Sequence, residues 1–272
     1  MRRVVRQFAK VFFIAVPLAF FFPKIFLIYS VCGLYDVSRN DERTLSLFER
    51  YFLGNGILVW LLSPINTLLD LLSLPYVNKG VYRLADLPAG HQAEVVKLIE
   101  AASRQNLVGQ LQQAASSGTR SMFFFKWYGA ADLETVVNVP EFHDEYRYIT
   151  TIGVSVFNKK QSTSKHFGPL RATIRVLYNL DDVVDETAYI VVGKTTHYWK
   201  IDKLFIFDDT LMHQSFNESD KPRYNLFVDI VRPTTMPAVF RAFIRAIGGL
   251  MSHGMNKVFY ARWRVFKNPQ AL

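Results

Sequence analysis

The chain has 272 residues, which fits one catalytic domain of ordinary size plus a small appendage, and its single cysteine, Cys32, excludes an internal disulfide and a thiolate metal cluster. Its 32 basic and 23 acidic residues give a net charge of +9, while half of the residues are apolar. A nucleic-acid partner would call for basic clusters on a polar surface and a recognisable motif, which the sequence lacks, so an anionic membrane surface is the favoured partner.

The N-terminus combines a basic head with an apolar body. Arg2, Arg3, Arg6 and Lys10 precede residues 11–34, which are mainly apolar. At about 1.5 Å per helical residue, this stretch is long enough for a hydrocarbon layer of about 30 Å. A cleaved signal peptide has a similar pattern. A lysine within the stretch and the absence of a small-x-small exit favour a retained anchor instead.

A second apolar segment covers residues 51–75. Six of its aliphatic side chains fall at helical spacing: Leu61, Leu62, Ile65, Leu68, Leu69 and Leu72. Asn66 and Asp70 lie one turn apart on the other side. The segment is expected to cross the membrane, re-enter it or lie along it, so residues 1–76 form a predicted membrane-anchoring region. The four cations of the first ten residues place the N-terminus in the cytoplasm by the positive-inside rule.

Residues 77–235 have the composition of a soluble domain. A helical pattern begins near residue 89, and His91 within it is expected to be solvated. Short apolar runs alternate with turn signals after it, at residues 120–128, 148–157, 172–180, 187–192, 203–207 and 224–231. Strands at such intervals predict a mainly β domain with flanking helices, built as a sandwich or a barrel.

Residues 236–272 form a predicted basic amphipathic tail. It contains no acid, and Phe240, Phe243, Ile244 and Ile247 fall on one helical face. A helix of this kind suits an anionic membrane surface. The same face would also suit packing on the β domain with a solvated basic rim, and the sequence leaves both alternatives open.

Two histidines and two arginines stand on strand-like segments of the β domain, namely His166, Arg175, His213 and Arg223. Two neutral imidazoles bind iron well and leave coordination positions open for a co-substrate and dioxygen. A guanidinium pairs bidentately with a carboxylate and keeps its charge. The set therefore predicts a site for divalent iron and a dicarboxylate. The alternative for Arg223 is a rim salt bridge with Glu218 or Asp220.

The surroundings of these residues resemble the aspartyl/asparaginyl β-hydroxylase family of iron- and 2-oxoglutarate-dependent dioxygenases, and within it the membrane-bound lipid A acyl-chain hydroxylases. The likeness covers roughly residues 120–235. The motifs that carry it are Phe125-Lys126-Trp127-Tyr128, His166-Phe167-Gly168-Pro169 with Arg175, Phe207-Asp208-Asp209-Thr210 leading to His213, the segment from Asn217 to Arg223, and Leu226-Phe227-Val228-Asp229-Ile230-Val231-Arg232-Pro233.

The resemblance implies a double-stranded β-helix, or jelly roll, in which His166 and His213 bind Fe(II). It further implies that Arg223 grips the distal carboxylate of 2-oxoglutarate, that Arg175 lies at the other end of the co-substrate, and that Ser155 hydrogen-bonds it. Dioxygen would be the second co-substrate.

The position two residues after the first histidine departs from the usual pattern. Non-haem iron oxygenases generally carry a carboxylate there, whereas this chain has Gly168. Either a water replaces the missing ligand or another acid, such as Asp182 or Asp209, moves in. The protein-modifying β-hydroxylases share this glycine, while the lipid A enzymes are expected to have an aspartate.

The sequence therefore predicts an inner-membrane enzyme whose catalytic domain faces the cytoplasm, where oxoglutarate and ferrous iron are supplied. The expected substrate is a fatty acyl chain of a membrane lipid, either lipid A or an aminolipid. One alternative is β-hydroxylation of Asp or Asn in a protein or peptide. Another is a non-catalytic, membrane-attached jelly roll that serves in binding.

Overall fold

The computed structural model describes residues 13, 16–104, 106–114, 120–129, 137, 139–252 and 264–266, so the four cations of the basic head lie outside the described residues. Within them the α-helices are α1 (Val16–Phe21), α2 (Pro23–Ser38), α3 (Leu45–Leu53), α4 (Ile57–Leu72), α5 (Ala89–Arg104), α6 (Leu107–Ala114) and α7 (Pro237–Ser252). Helix α5 confirms the helix predicted near residue 89.

Helices α1 to α4 pack on one another in chain order, and α2 also packs on α4. Thr44 begins α3, because its Oγ1 accepts a hydrogen bond from the Leu47 N–H at 3.2 Å. Among the described residues no single helix combines the length and the apolar composition needed to cross a membrane. Helices α3 and α4 meet the requirement only together, and they are bent by 88°. A membrane crossing by residues 11–34 stays a prediction.

The described strands are β1 (Val81–Tyr82), β2 (Ser121–Lys126), β3 (Ile149–Phe157), β4 (Gln161–Ser162), β5 (Thr173–Asn179), β6 (Ala188–Val192), β7 (Thr195–Tyr198), β8 (Leu204–Phe207), β9 (His213–Asn217), β10 (Arg223–Val231) and β11 (Arg264–Phe266). They form a large sheet in the order β1-β8-β5-β10-β3-β2-β11 and a small sheet in the order β4-β9-β6-β7.

The path from β3 to β10 defines a jelly roll. Strands β3, β5, β8 and β10 lie in the large sheet, and β4, β6, β7 and β9 lie in the small one. Every pairing among these eight strands is antiparallel. The chain thus moves repeatedly between two antiparallel sheets, which is the arrangement of a double-sheet jelly roll. The predicted mainly β class is confirmed.

Burial explains why the central strands could be found in the sequence. Strands β3 and β10 are buried at every residue, because one face of the large sheet packs against helices α5 and α6 and the other against the small sheet. They therefore appear as continuous apolar runs. In β6 and β9, buried and half-buried residues alternate, because the small sheet is covered on one face only.

All six apolar runs predicted as strands are strands in the structure. Five further strands were not predicted as elements: β1, β4, β7, β9 and β11. Three of them contain only two or three residues, too few to show a period. Strand β7 is exposed or half-buried throughout, so its sequence carries no apolar signal.

The apolar face of the predicted tail helix lies on the β domain. Phe240 and Ile244 of α7 are fully buried and belong to the core between the two sheets. Packing on the core, one of the two alternatives left open, is thus the one observed for this face. Residues 253–263 and 267–272 lie outside the described part of the chain.

The prediction that His91 is solvated is wrong. The side chain is 3 % exposed, and its ring stacks on Tyr148 with centroids 3.9 Å apart. Its Nε2 hydrogen-bonds the Val231 carbonyl at 3.0 Å, and burial lowers the pKa of the imidazole to about 4. The polar surroundings in sequence gave no sign of this packing, which is made with residues distant in the chain.

Candidate metal centre

The two histidines predicted as metal ligands are backbone neighbours in the small sheet. His213 begins β9, and His166 lies in the connection from β4 to β5. The His166 N–H donates to the His213 carbonyl at 3.0 Å, and the His213 N–H donates to the His166 carbonyl at 2.9 Å. This exchange directs both side chains to the same face, and the ring centroids are 4.2 Å apart. The structure brings the two imidazoles together.

Each ring has one nitrogen bonded to the backbone. Nδ1 of His166 donates to the Ser164 carbonyl at 2.7 Å, and Nδ1 of His213 donates to the Leu211 carbonyl at 2.9 Å. Since a carbonyl oxygen only accepts, Nδ1 carries the proton and the lone pair lies on Nε2. Burial lowers the pKa of both imidazoles, that of His213 well below its usual value. Neutral rings oriented through Nδ1 are the form in which histidine binds metals.

The place of a side chain at residue 168 is taken by Asp209. A Cβ on Gly168 would lie closer than 3.0 Å to both oxygens of that carboxylate and to its carbon. The Gly168 N–H donates to the Asp209 carbonyl at 2.6 Å, which fixes the close approach. Residue 168 is therefore glycine for a steric reason, and a different carboxylate stands beside the histidine segment.

The other acid considered as a substitute ligand, Asp182, lies on the surface. Its side chain is 86 % exposed and pairs with Lys203 at 2.5 Å. Across the described ranges, no group of three or more His, Cys, Asp and Glu side chains is placed to hold a metal ion. A metal bound here would have the two imidazoles as its protein ligands, with its other positions open to co-substrate, dioxygen or water.

Arg175 is paired with acids rather than presented alone to the cavity. Its Nη2 donates to Asp209 at 2.8 Å and its Nε to Asp229 at 2.6 Å, and its guanidinium lies 3.8 Å from the Phe227 ring centroid. Burial raises the pKa of the Asp209 carboxyl, as does the nearby Asp229, while Arg175 opposes the rise. Arg175 thus holds Asp209 beside the glycine, and its predicted contact with the co-substrate stays a prediction.

Arg223, at the start of β10, is buried and has no acidic partner among the described residues. Its Nη2 donates to the Ser215 hydroxyl at 2.8 Å, while Nε and Nη1 have no hydrogen-bond partner among the described residues. The guanidinium lies 4.6 Å from the Phe157 ring centroid and 5.5 Å from that of Trp199. Burial lowers its pKa to about 9. The alternative of a rim salt bridge is wrong, because the side chain is only 2 % exposed.

The two arginines flank the histidine pair on opposite sides. Because the paired segments are antiparallel, the residues that follow His166 and those that follow His213 run in opposite directions. After His166 the chain reaches Gly168, whose N–H bonds to Asp209, and Asp209 pairs with Arg175. After His213 the strand reaches Ser215, whose side chain lies on the same face as that of His213 and bonds to Arg223. A ligand that reached from the imidazoles to Arg223 would lie along the inner face of β9.

Ser155 lies on the face of the large sheet that carries Arg223. Its register partner in β10 is Asn225, two residues after Arg223, and its hydroxyl donates to the Asn225 carbonyl at 3.4 Å. Directly paired residues of antiparallel strands share a face. The structure therefore brings Ser155 to the same region of the sheet as Arg223, and its role toward a co-substrate stays a prediction.

Three further residues of this region were not identified in the sequence. Ser215 and Asn225 each follow a predicted site residue by two positions, so the period of a strand would have indicated them. Trp199, which follows β7, does not lie two positions from a predicted site residue. The Asn225 Oδ1 and the Trp199 Nε1 are buried and have no hydrogen-bond partner in the described residues. Together with Arg223, they supply unsatisfied polar groups facing the space between the sheets.

The donor set fits a bound divalent metal and an anionic co-substrate. The two histidine rings lie side by side with Nε2 free of the backbone, and Arg223, which has no acidic partner among the described residues, bonds to Ser215 two residues after His213. The Phe207 ring, 5.2 Å from that of His213, belongs to the apolar core around the pair, which limits access of water. These features support redox chemistry at a metal with a carboxylate anchored beside it.

Comparison with known proteins agrees with this geometry. Ornithine lipid ester-linked acyl 2-hydroxylase of Rhizobium tropici is 33 % identical over 134 residues, which cover 44 % of this chain and 47 % of that protein. The match thus spans about half the length of the curated relative.

Solved structures give weaker likenesses. The TT1209 protein of Thermus thermophilus is 14 % identical, with 45 % of this chain and 95 % of that chain covered and a TM-score of 0.30. A cupin superfamily protein of Desulfitobacterium hafniense is 8 % identical, with 45 % and 89 % covered and a TM-score of 0.29. The jelly roll is defined here by the strand order itself.

The family model for aspartyl/asparaginyl beta-hydroxylase matches residues 92–233, which is more than half of the chain. The matched range includes both histidines, both arginines and all eight jelly-roll strands. The chain therefore belongs to the aspartyl/asparaginyl beta-hydroxylase family.

Proposed function

We propose that the protein is an Fe(II)- and 2-oxoglutarate-dependent dioxygenase that hydroxylates a fatty acyl chain of a membrane aminolipid. The observation that carries the co-substrate assignment is the buried guanidinium of Arg223, which has no acidic partner in the part of the chain that the structure describes. A buried cation without a counter-ion is costly, so the site favours an anion there. A dicarboxylate whose keto-acid end lies at His213 would extend its distal carboxylate toward Arg223.

His166 and His213 would hold the iron through Nε2. When bound, the iron supplies the redox chemistry by which dioxygen and 2-oxoglutarate are converted to succinate, carbon dioxide and a hydroxyl group on the substrate carbon. The chain's own residues orient the imidazoles through their Nδ1 bonds and anchor the co-substrate at Arg223. The apolar side chains between the two sheets exclude bulk water from the reacting groups.

A lipid substrate is supported by the R. tropici relative, which acts on an acyl chain of ornithine lipid according to its name. It is also supported by a cavity of about 400 Å³. One wall includes Leu71, Leu74 and Val77, all exposed apolar residues at and beyond the end of α4. The lining also includes Val192, the cross-strand partner of His213, and Leu211, whose carbonyl accepts the His213 Nδ1 proton, beside the charged side chains of Arg39, Asp70 and Arg232. The cavity thus adjoins the segment of the second histidine, and its apolar residues would contact an acyl chain.

Attachment to the inner membrane, with the catalytic domain in the cytoplasm, is part of the proposal. The helices α1, α2 and α4 carry a large exposed apolar surface, whose most exposed members include Phe20, Phe21, Leu27, Ile28, Val31, Leu61 and Leu68. A surface of this kind is unusual on a monomeric soluble protein and typical of a membrane-binding face. The cytoplasm supplies both ferrous iron and 2-oxoglutarate.

Vesicle binding tests the attachment. Leu27→Asp removes an apolar contact of about 1.5–3 kcal/mol, so the partition coefficient onto anionic vesicles should fall about tenfold or more. Val184→Asp is the matched control, because Val184 is 82 % exposed but lies in the loop between β5 and β6. Equal losses for the two variants would contradict a membrane role for the helical surface.

Succinate release tests the function. The purified full-length protein, loaded with Fe(II) and supplied with 2-oxoglutarate, is incubated separately with ornithine lipid and with a pool of Asp- and Asn-containing peptides. We expect lipid-dependent succinate and a lipid product that has gained one oxygen atom, both lost in His213→Ala. Succinate driven by peptides alone would favour the β-hydroxylation of protein residues, and a protein that binds no iron would favour a binding role.

A further inference from the structure

The helices that carry the exposed apolar surface also hold the loop that follows the first histidine. Asn66 of α4 donates from Nδ2 to the Pro169 carbonyl at 3.1 Å and accepts at Oδ1 from the Arg171 N–H at 2.9 Å. Its side chain is fully buried. The Asn66 side-chain amide thus forms hydrogen bonds with two backbone groups within five residues of His166. The loop is fixed from outside the β domain.

The segment that precedes the second histidine is held by the same layer of helices. Asn40, just after α2, accepts at Oδ1 from the Met212 N–H at 2.9 Å, directly next to His213. Its neighbour Arg39 pairs with Asp208 at 2.5 Å. Both contacts are made by residues more than 160 positions away in the chain.

Buried ion pairs lock the two parts together. Arg171 of the histidine loop pairs with Asp36 of α2 and with Asp70 of α4, and Asp70 also pairs with Arg232 at the end of β10. The Arg171 side chain is 1 % exposed and that of Asp36 is 2 % exposed. Such charges are costly to separate once buried, so the helices and the loop are held in one arrangement.

Aromatic packing completes the attachment. Phe167, which stands between the first histidine and Gly168, packs edge-on against the Tyr51 ring with centroids 5.8 Å apart. Phe167 and Tyr51 share a buried cluster with Val37 and Leu47 of the helices. Phe167 therefore points into the helical layer rather than into the core of the jelly roll.

We propose that helices α2 to α4 position the histidine segments of the metal centre, in addition to the membrane contact proposed for the apolar surface of α1, α2 and α4. Asn66 sets the backbone that follows His166, and Asn40 sets the backbone that precedes His213. The distance between the two Nε2 atoms depends on both. This inference rests on the metal centre of the proposed function, and it assigns a role in metal binding to residues outside the matched family region.

Cobalt binding tests the positioning role without requiring turnover. Full-length wild-type protein and the variants Asn66→Ala and Asn40→Ala are titrated anaerobically with Co(II), and affinity and the visible ligand-field spectrum are recorded. Supporting groups around metal ligands typically change metal affinity by about 10–100-fold, and we expect a loss in that range with an altered spectrum. Thr67→Ala is the matched control, because among the described residues the Thr67 hydroxyl bonds only within its own helix, to the Ser63 carbonyl at 2.8 Å.

Thermal unfolding of each variant separates loss of the site from loss of the fold. If Asn66→Ala does not fold, Asn40→Ala tests the same role from the other histidine segment. Wild-type affinity and spectrum in both folded variants would overturn the positioning role while leaving the metal centre intact. Failure of the wild-type protein to bind Co(II), or equal binding by His213→Ala, would instead overturn the proposed metal centre.

Discussion

The Arg223→Met variant tests whether this arginine stabilises the folded protein or binds a ligand. The guanidinium is buried, its only hydrogen bond goes to the Ser215 hydroxyl, and no acid pairs with it among the described residues. Removing an uncompensated buried charge should leave the free energy of unfolding unchanged or raise it, provided that no ligand is present. The same change removes two charge-assisted hydrogen bonds to a bound carboxylate, each worth about 1.5–3 kcal/mol. Taking the lower values, the dissociation constant of 2-oxoglutarate should rise roughly 100-fold.

Thermal unfolding with Mn(II) in place of iron measures both effects. At a 2-oxoglutarate concentration about 100 times the wild-type dissociation constant, the ligand stabilises the wild-type protein by about 2.7 kcal/mol. The Arg223→Met protein, at the same concentration, should gain only about 0.4 kcal/mol. Arg104→Met is the control, because Arg104 is an exposed residue at the end of α5, on the far face of the large sheet. Equal ligand stabilisation of variant and wild type, or a ligand-free variant destabilised by about 3 kcal/mol or more, would refute the reasoning.

Three other outcomes are expected. Gly168→Ala should destabilise the protein by about 1–3 kcal/mol and weaken metal binding, since its Cβ would overlap the Asp209 carboxylate; an unchanged melting temperature would contradict that contact. Chelation of the metal should lower the melting temperature of the wild type but not of His213→Ala, as checked by calorimetry. His91 has a folded pKa of about 4, below its value of about 6.5 in the unfolded chain. The unfolded state therefore binds more protons between these values, and about 2–3 kcal/mol of stability should be lost as the pH falls from about 6.5 to about 4. His91→Phe should lessen that loss, as measured by denaturant unfolding at several pH values.

Most of the β domain could be predicted because its central strands are short apolar runs bounded by turn residues. The two histidines and Arg223 were predicted from the motifs around them, which carry the family resemblance, and the structure brings the two histidine rings to a centroid separation of 4.2 Å. These predictions were possible because the strand period, the turn residues and the flanking motifs all lie within a few positions of each site residue.

The contacts that the sequence did not reveal are those between distant segments. Asp182 and Asp209 could both be named as acids that replace a carboxylate at Gly168, but the sequence did not distinguish them, because Asp209 meets Gly168 only through the tertiary fold. The polar side chains of α4 are a second case. Asn66 and Asp70 could be assigned to one side of the helix from their spacing, but their partners in the histidine loop and in β10 depend on the docking of the helices.

The buried arginines of the chain provide an internal comparison for the central assignment. Arg171 and Arg232 are as deeply buried as Arg223, and each is paired with an aspartate of the helical layer. Arg175, on the same inner face, has two acidic partners. Within the described residues, each of these three guanidinium groups therefore has at least one carboxylate partner. Arg223 differs, because its guanidinium lies near two aromatic rings and has two donors without a hydrogen-bond partner in the described residues. Such departures from local rules are expected at functional sites. This contrast supports the proposal that a carboxylate of the co-substrate is the counter-ion of Arg223.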